Sequence, residues 1–136
     1  MRPRTQTRWR GQRGQSLVET AVMIVVIFMV VFWIFELSWL MYTYSALADA
    51  VNEGVRYAIV HSGGDPAGTQ AKVKTFAAAS LHNVSAISVS VTPPDGSYAP
   101  PNRVRVTVTY TYIPWLPKFI TAPTMKTYAE GRMVAQ

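Results

Sequence analysis

Two histidines, His61 and His82, stand 21 residues apart, and Ser62 and Asp65 follow the first of them. Imidazole, hydroxyl and carboxylate are the parts of a hydrolytic site, and paired imidazoles with a carboxylate can begin a metal site. The spacing favours neither. The chain has no HExxH, no Gly-rich phosphate loop and no nucleophile elbow. It also has no cysteine, so a disulfide framework and a thiolate metal site are excluded. The residues read as those of a protein that is not an enzyme, with no catalytic residue, cofactor, metal or small-molecule substrate.

A different chemistry is concentrated near the N-terminus. Gly14 closes an arginine-rich arm, Gln15 follows, and Glu19 is the first acid of the chain. From Ala21 to Phe35 no side chain is charged or polar. Extended back to Leu17, the segment is about 28 Å long as a helix, close to the ~30 Å hydrocarbon core of a bilayer. An acid within such a span costs free energy, less near an end than at the centre. Glu19 therefore either reaches water at the boundary or has a positive partner that exists only after processing or assembly. A cut at Gly14–Gln15 would remove the arm and leave the anchor. A secretory signal is ordinarily cut after its apolar region.

The charge pattern agrees. The formal charge is +6, but Arg2, Arg4, Arg8, Arg10 and Arg13 lie in the first 14 positions with no acid among them. The rest is nearly balanced. Arginine beside a span marks the cytoplasmic side, which places the C-terminus across the membrane. Topology thus accounts for the basic arm, and the reading includes no nucleic-acid partner.

The elements that carry these residues follow from periodicity. No proline lies between Gln15 and Pro66, and nothing forces a break in a helix there. Trp39, Tyr42 and Tyr44 suit a membrane interface. Leu40, Tyr44, Leu47, Val51, Val55 and Ala58 then form an apolar stripe, with Asp49, Asn52, Glu53 and Arg56 opposite. Gly54 in this stripe reads as either a close packing point or a weak point. His61–Ser62–Gly63–Gly64 should stop the helix, and Asp65–Pro66 should start a second one with Val73, Phe76, Ala77 and Leu81 inward. From Val84 the period becomes two.

These patterns divide the chain into a basic cytoplasmic leader 1–14, expected to be disordered, and a membrane-spanning helix 15–38. The helix continues outside the membrane over 39–62. Residues 63–136 form an α+β head with helix 66–81 and strands about 85–92, 103–112 and 124–134. Gly131 reads as a possible bulge. Arg103 and Arg105 read as a solvated edge that discourages aggregation, and Tyr110 and Tyr112 as core. Trp115, Leu116, Phe119 and Ile120 form an apolar connector that could tuck onto the helix or the membrane surface.

The residues GQSLVETAV, LADAVNEGVRYAIV and RVRVTVTYTYIPWLP, with a terminal strand after them, resemble TadE-like proteins, the minor pilins or pseudopilins of tight-adherence type IV pili. The resemblance runs from Gly14 to about Val134, and its most specific piece is Asn52–Glu53–Gly54–Val55–Arg56–Tyr57. It implies a pilin-like α+β fold, with the long N-terminal helix packed on an antiparallel sheet of three strands. It further implies cleavage between Gly14 and Gln15 by a prepilin peptidase, and a role for Glu19 in processing and subunit packing through the new α-amine of a neighbour. Other pilin-like subunits, the pilus assembly platform and the membrane are the implied partners. The implied location is the bacterial inner membrane, single pass, with the N-terminus cytoplasmic and the head extracytoplasmic. Thr20 stands where an aromatic often follows the glutamate, and the helix lacks the proline often found near its start. The competing reading is an uncleaved, signal-anchored binding module of the cell envelope.

Overall fold

The computed structural model describes residues 10–81, 83–115 and 121–135. The elements are α1 (Arg10–Ile59), a short 3-10 turn (Ser62–Gly64), α2 (Pro66–Ala78), a second 3-10 turn (Val84–Ala86), and strands β1 (Ile87–Thr92), β2 (Arg103–Thr111) and β3 (Thr124–Arg132). The fold is α+β, a long apolar N-terminal helix packed on a three-stranded antiparallel sheet. The chain divides into a first unit ending at Leu37 and a second beginning at Ser38.

In the first unit α1 begins earlier than the sequence reading placed it. Arg10–Gly14 are already helical, whereas the leader was expected to be disordered through Gly14; residues 1–9 lie outside the described residues. Arginine and glutamine are good helix formers, and a glycine inside a helix costs only about 1 kcal/mol. No proline lies between Arg10 and Gly14 to interrupt the backbone ladder there.

The second unit holds the core. From Thr43 onward α1 buries Thr43, Ala46, Leu47, Ala50, Val51, Gly54, Val55 and Ala58, in helical steps of three and four. Thr43 takes the place on this stripe that the sequence reading gave to Tyr44, which is 44% exposed. The Thr43 hydroxyl donates to the Trp39 carbonyl at 2.9 Å and is thereby satisfied when buried, while the phenol of Tyr44 stays near water.

α2 contributes Thr69, Val73 and Ala77, one residue per turn. Phe76, expected on this inner face, falls beside the stripe and is 44% exposed. The helix ends at Ala78, three residues before the predicted limit, and Leu81 is buried beyond it. Asp65 caps it as expected: its Oδ1 accepts from the Gly68 amide at 3.2 Å, with Pro66 in the first turn.

The sheet order is β1-β2-β3, both pairs antiparallel. Val104, Val106, Val108 and Tyr110 of β2 turn inward and are buried, and Tyr112 beyond the strand is 1% exposed. Fully burying each valine contributes roughly 1.5–3 kcal/mol. Gly131 is not a bulge. It pairs with Val104 in an unbroken register from Arg103↔Arg132 to Thr111↔Thr124. A Cβ there would lie 2.7 Å from both Val55 and Ile59 side chains, so the glycine admits α1 close to the strand. Gly54 has a similar role: a Cβ on it would collide with the Val73 side chain of α2.

Arg103 and Arg105 do not mark an edge, because β2 is the central strand. They form a chain of ion pairs on the outer face. Arg103 Nη2 donates to Asp95 Oδ1 at 2.8 Å and Nη1 to Glu130 Oε2 at 3.1 Å; Arg105 Nε donates to Glu130 Oε1 at 2.7 Å. The Arg103 amide also donates to Asp95 Oδ2 at 2.8 Å. The loop between β1 and β2 is thus tied to β2, and β2 to β3. Hydrogen bonds from Arg103 hold the Asp95 carboxyl down to about 2, and Asp95 in turn raises the Arg103 guanidinium above its usual value.

Candidate functional site

The residues singled out for processing and packing all lie on α1. Gly14, Gln15 and Glu19 are helical and exposed. Among the described residues, nothing outside the local helix backbone and the two chain neighbours lies within 4 Å of where a Gly14 Cβ would stand. Glu19 comes four residues after Gln15, one helical turn on and on the same side. The hydroxyl of neighbouring Thr20 is turned back onto the Ser16 carbonyl at 2.8 Å and does not compete for the acid.

Beyond Thr20 the helix has an apolar surface on every side. Leu17, Val25, Phe28, Met29 and Phe32 are between 57% and 72% exposed. The helix is long and apolar enough to cross a membrane, and none of its most apolar window is buried. Among the apolar side chains of this segment, a bilayer or the apolar stems of other subunits would remove a large unfavourable contact with water. The unit's other acid, Glu36, is buried. Glu19 is therefore the acid open to a partner from outside.

The residues weighed for hydrolysis or metal binding have structural engagements. His61 Nδ1 lies 2.7 Å from the Tyr57 carbonyl, and its ring stacks on Tyr57 at 3.8 Å between centroids. Asp65 also accepts from the Tyr57 hydroxyl at 3.1 Å, and this hydrogen bond raises the Tyr57 phenol above its usual value. A Cβ on Gly68 would strike the Asp65 carboxylate and lie 2.7 Å from the Tyr57 hydroxyl, so the glycine makes room for this contact. His82 lies outside the described residues. Among the described residues no three His, Cys, Asp or Glu side chains are grouped to hold a metal ion.

Sequence reasoning did not find a cleft of about 470 Å³ between the turn after α1, the loop at Ser97–Pro100 and the segment that follows β3. Its lining includes His61, Tyr98 and Met133 and no carboxylate. The Tyr98 hydroxyl donates to the Val91 carbonyl at 3.1 Å. No short local pattern marks this cleft, because its walls come from three separated stretches.

The family model described as TadE-like protein matches residues 14–56. The match begins at the glycine of the candidate cut and ends within the buried stripe of α1, before the first strand. Comparison with curated proteins and with solved structures gives no match. The TadE-like family is a structural one, of pilin-like proteins associated with tight-adherence pili. From Gly14 to Arg56, over the exposed acid, the uncovered apolar helix and the stripe that enters the core, this chain is similar to TadE-like proteins, and the match covers about a third of its length.

Proposed function

We propose that the protein is a minor pilin or pseudopilin, a structural subunit in the assembly of a tight-adherence pilus, released from its basic leader by a prepilin peptidase acting between Gly14 and Gln15. The observation that carries this reading is the placement of Glu19. It is exposed, one turn past the proposed cut, on an apolar helix within the TadE-like match.

The peptidase hydrolyses the Gly14–Gln15 peptide bond on the cytoplasmic side of the membrane. This bond lies in a helix, so the first turns must open to present it. Helix ends have amide groups without intrahelical partners, and Gly14 further weakens the turn. Cleavage creates an ammonium group on Gln15 at the positive end of the helix dipole, where a cation is disfavoured. A carboxylate from an adjacent subunit relieves that. Opposite charges about 4 Å apart at an effective dielectric near 20 attract by about 4 kcal/mol before desolvation is subtracted. The pair would set the axial register of adjacent stems, and the apolar surface would supply most of the attraction within the assembly. Residues 15–38 are then the membrane-spanning part of the precursor, 39–62 its continuation outside, and 63–136 the extracytoplasmic head.

Mass spectrometry of the membrane form, from cells with and without the prepilin peptidase, tests the cut. The expected mature chain starts at Gln15 only when the peptidase is present. An intact Met1 terminus in both would overturn the proposal. Glu19→Ala should leave membrane insertion unchanged and reduce pilus assembly; normal pili would remove the proposed charge pair.

A further inference from the structure

One end of the second unit carries apolar side chains that its own core does not use. Ile113 is 58% exposed and Trp115 77%, directly after β2. Tyr128 on the outer face of β3 is also exposed, at 62%, but Ile113 and Trp115 lie two residues apart at one end of the unit. The neighbouring inward residues Tyr110 and Tyr112 are buried.

Contacts within the unit show which end this is. Val55 and Ile59 of α1 meet Gly131, the partner of Val104, and the Val134 amide donates to the Ile59 carbonyl at 3.1 Å. Gly54 lies beside Val106. Going back along α1 therefore goes forward along β2. From Ile59 to Thr43 the helix covers about 24 Å at its usual rise. From Val104 to Thr111 the strand covers about 23 Å. Trp39 and Tyr42, whose rings are 5.4 Å apart, thus fall at the same end of the unit as Ile113 and Trp115. That end is also where the chain enters, since the apolar run of α1 stops at Leu37, next to Ser38.

Trp39 is half-buried against the core, while Tyr42 at 49%, Ile113 and Trp115 are exposed, and together they have the composition of a surface that is half apolar and half wet. Indole and phenol rings favour the boundary between hydrocarbon and water, where the ring is buried and its N–H or O–H keeps a polar partner. We propose that Trp39, Tyr42, Ile113 and Trp115 form a second membrane contact, in which the β2–β3 side of the unit rests in the lipid headgroup layer. The contact needs α1 to span the bilayer. It does not need the cut at Gly14. It would hold the unsheathed unit against the membrane before assembly, and it would have to be released when the subunit leaves the bilayer.

The test uses the full chain in phosphatidylcholine vesicles. Trp9→Phe, Trp33→Phe and Trp39→Phe together leave Trp115 as the sole indole. Lipids brominated at a shallow acyl position should quench at least half of its emission relative to the same lipids without bromine, and its emission should be blue-shifted. A companion chain that retains only Trp33 reports the span. Trp33 quenched with Trp115 unquenched and red-emitting would overturn the second contact and leave the span intact. Blue-shifted but unquenched Trp115 emission, growing with the protein-to-lipid ratio, would assign the patch to another copy of the chain and also overturn it. An unquenched Trp33 would remove both contact and span.

Should the triple substitution prevent folding, the absence of cysteine offers a second route. A spin label on Ile113→Cys should be accessible to oxygen and shielded from a water-soluble nickel complex. A label on Ser90→Cys, exposed on the outer face of β1, should show the reverse. Equal nickel access at both positions would overturn the proposal.

Discussion

The same helix has two different surfaces. Between Leu17 and Phe35 its apolar side chains are open all round, whereas between Thr43 and Ala58 only one stripe is apolar and that stripe is buried. Both stretches are helical and both are rich in valine and alanine or other apolar residues. The difference is in what the opposite face carries. Asp49, Asn52 and Arg56 are exposed beyond Thr43, and the first stretch has no counterpart to them after Glu19. A one-sided stripe specifies packing inside the chain; an all-round apolar surface specifies an apolar surrounding outside it.

A charge placed in each stretch breaks this comparison most severely. Val51→Asp should unfold the second unit, since an unpaired buried charge costs about 3–5 kcal/mol. Val26→Asp should leave that unit folded and impair membrane insertion, because an aspartate at a bilayer centre costs about 2.5–3.5 kcal/mol. Protease resistance of the second unit and carbonate extraction of membranes separate the two outcomes. Equal loss of protease resistance in both variants would show that the two surfaces are not independent.

Glycines give a second, smaller contrast. Gly54→Ala should destabilise the second unit by about 1–2 kcal/mol, since overpacking costs about 1–3 kcal/mol and the helix gains back up to about 1. Gly14→Ala has open space around it and should not lower stability. Urea unfolding in detergent, followed by Tyr and Trp fluorescence, measures both. A neutral Gly54→Ala would mean that Val73 can move aside.

Removing the cap is comparable but local. Asp65→Ala should cost about 1 kcal/mol and increase amide exchange in the first turn of α2, with no effect on α1 before Leu37.

The smallest effect is in acid. The folded Asp95 carboxyl is lowered from 3.8 to about 2 by Arg103. Its contribution to stability is therefore fully present above the unfolded value and is lost as pH falls through the folded one. Asp95→Asn should flatten the stability profile across that window and change little at neutral pH. An unchanged profile would show that the ion-pair chain does not hold the loop.

The alternation of Val104, Val106 and Val108 made β2 legible, as the sharp change in polarity made the first stretch of α1 legible. Tyr44 and Phe76 were misplaced because, in a helix, a residue one step from the buried stripe fits the same spacing. Choosing between Thr43 and Tyr44 depends on a backbone hydrogen bond that spacing does not encode. Gly131 looked like a bulge because its cause, Val55 and Ile59, is some 70 residues away in the chain. The candidate site was legible as composition: one acid, one glycine and an apolar run. Its proposed counter-charge belongs to another molecule, so neither sequence spacing nor a single folded chain displays it.

The sheet has one more consequence, which concerns how it is made. Its strands lie side by side in the order of synthesis, and the connections that join them are ten residues (93–102) and twelve residues (112–123) long. Closing such short loops costs little entropy, and local pairing favours rapid folding. A head delivered across a membrane in the order of its synthesis could therefore zip each hairpin as it emerges, against a helix stripe that has already arrived, without waiting for the end of the chain.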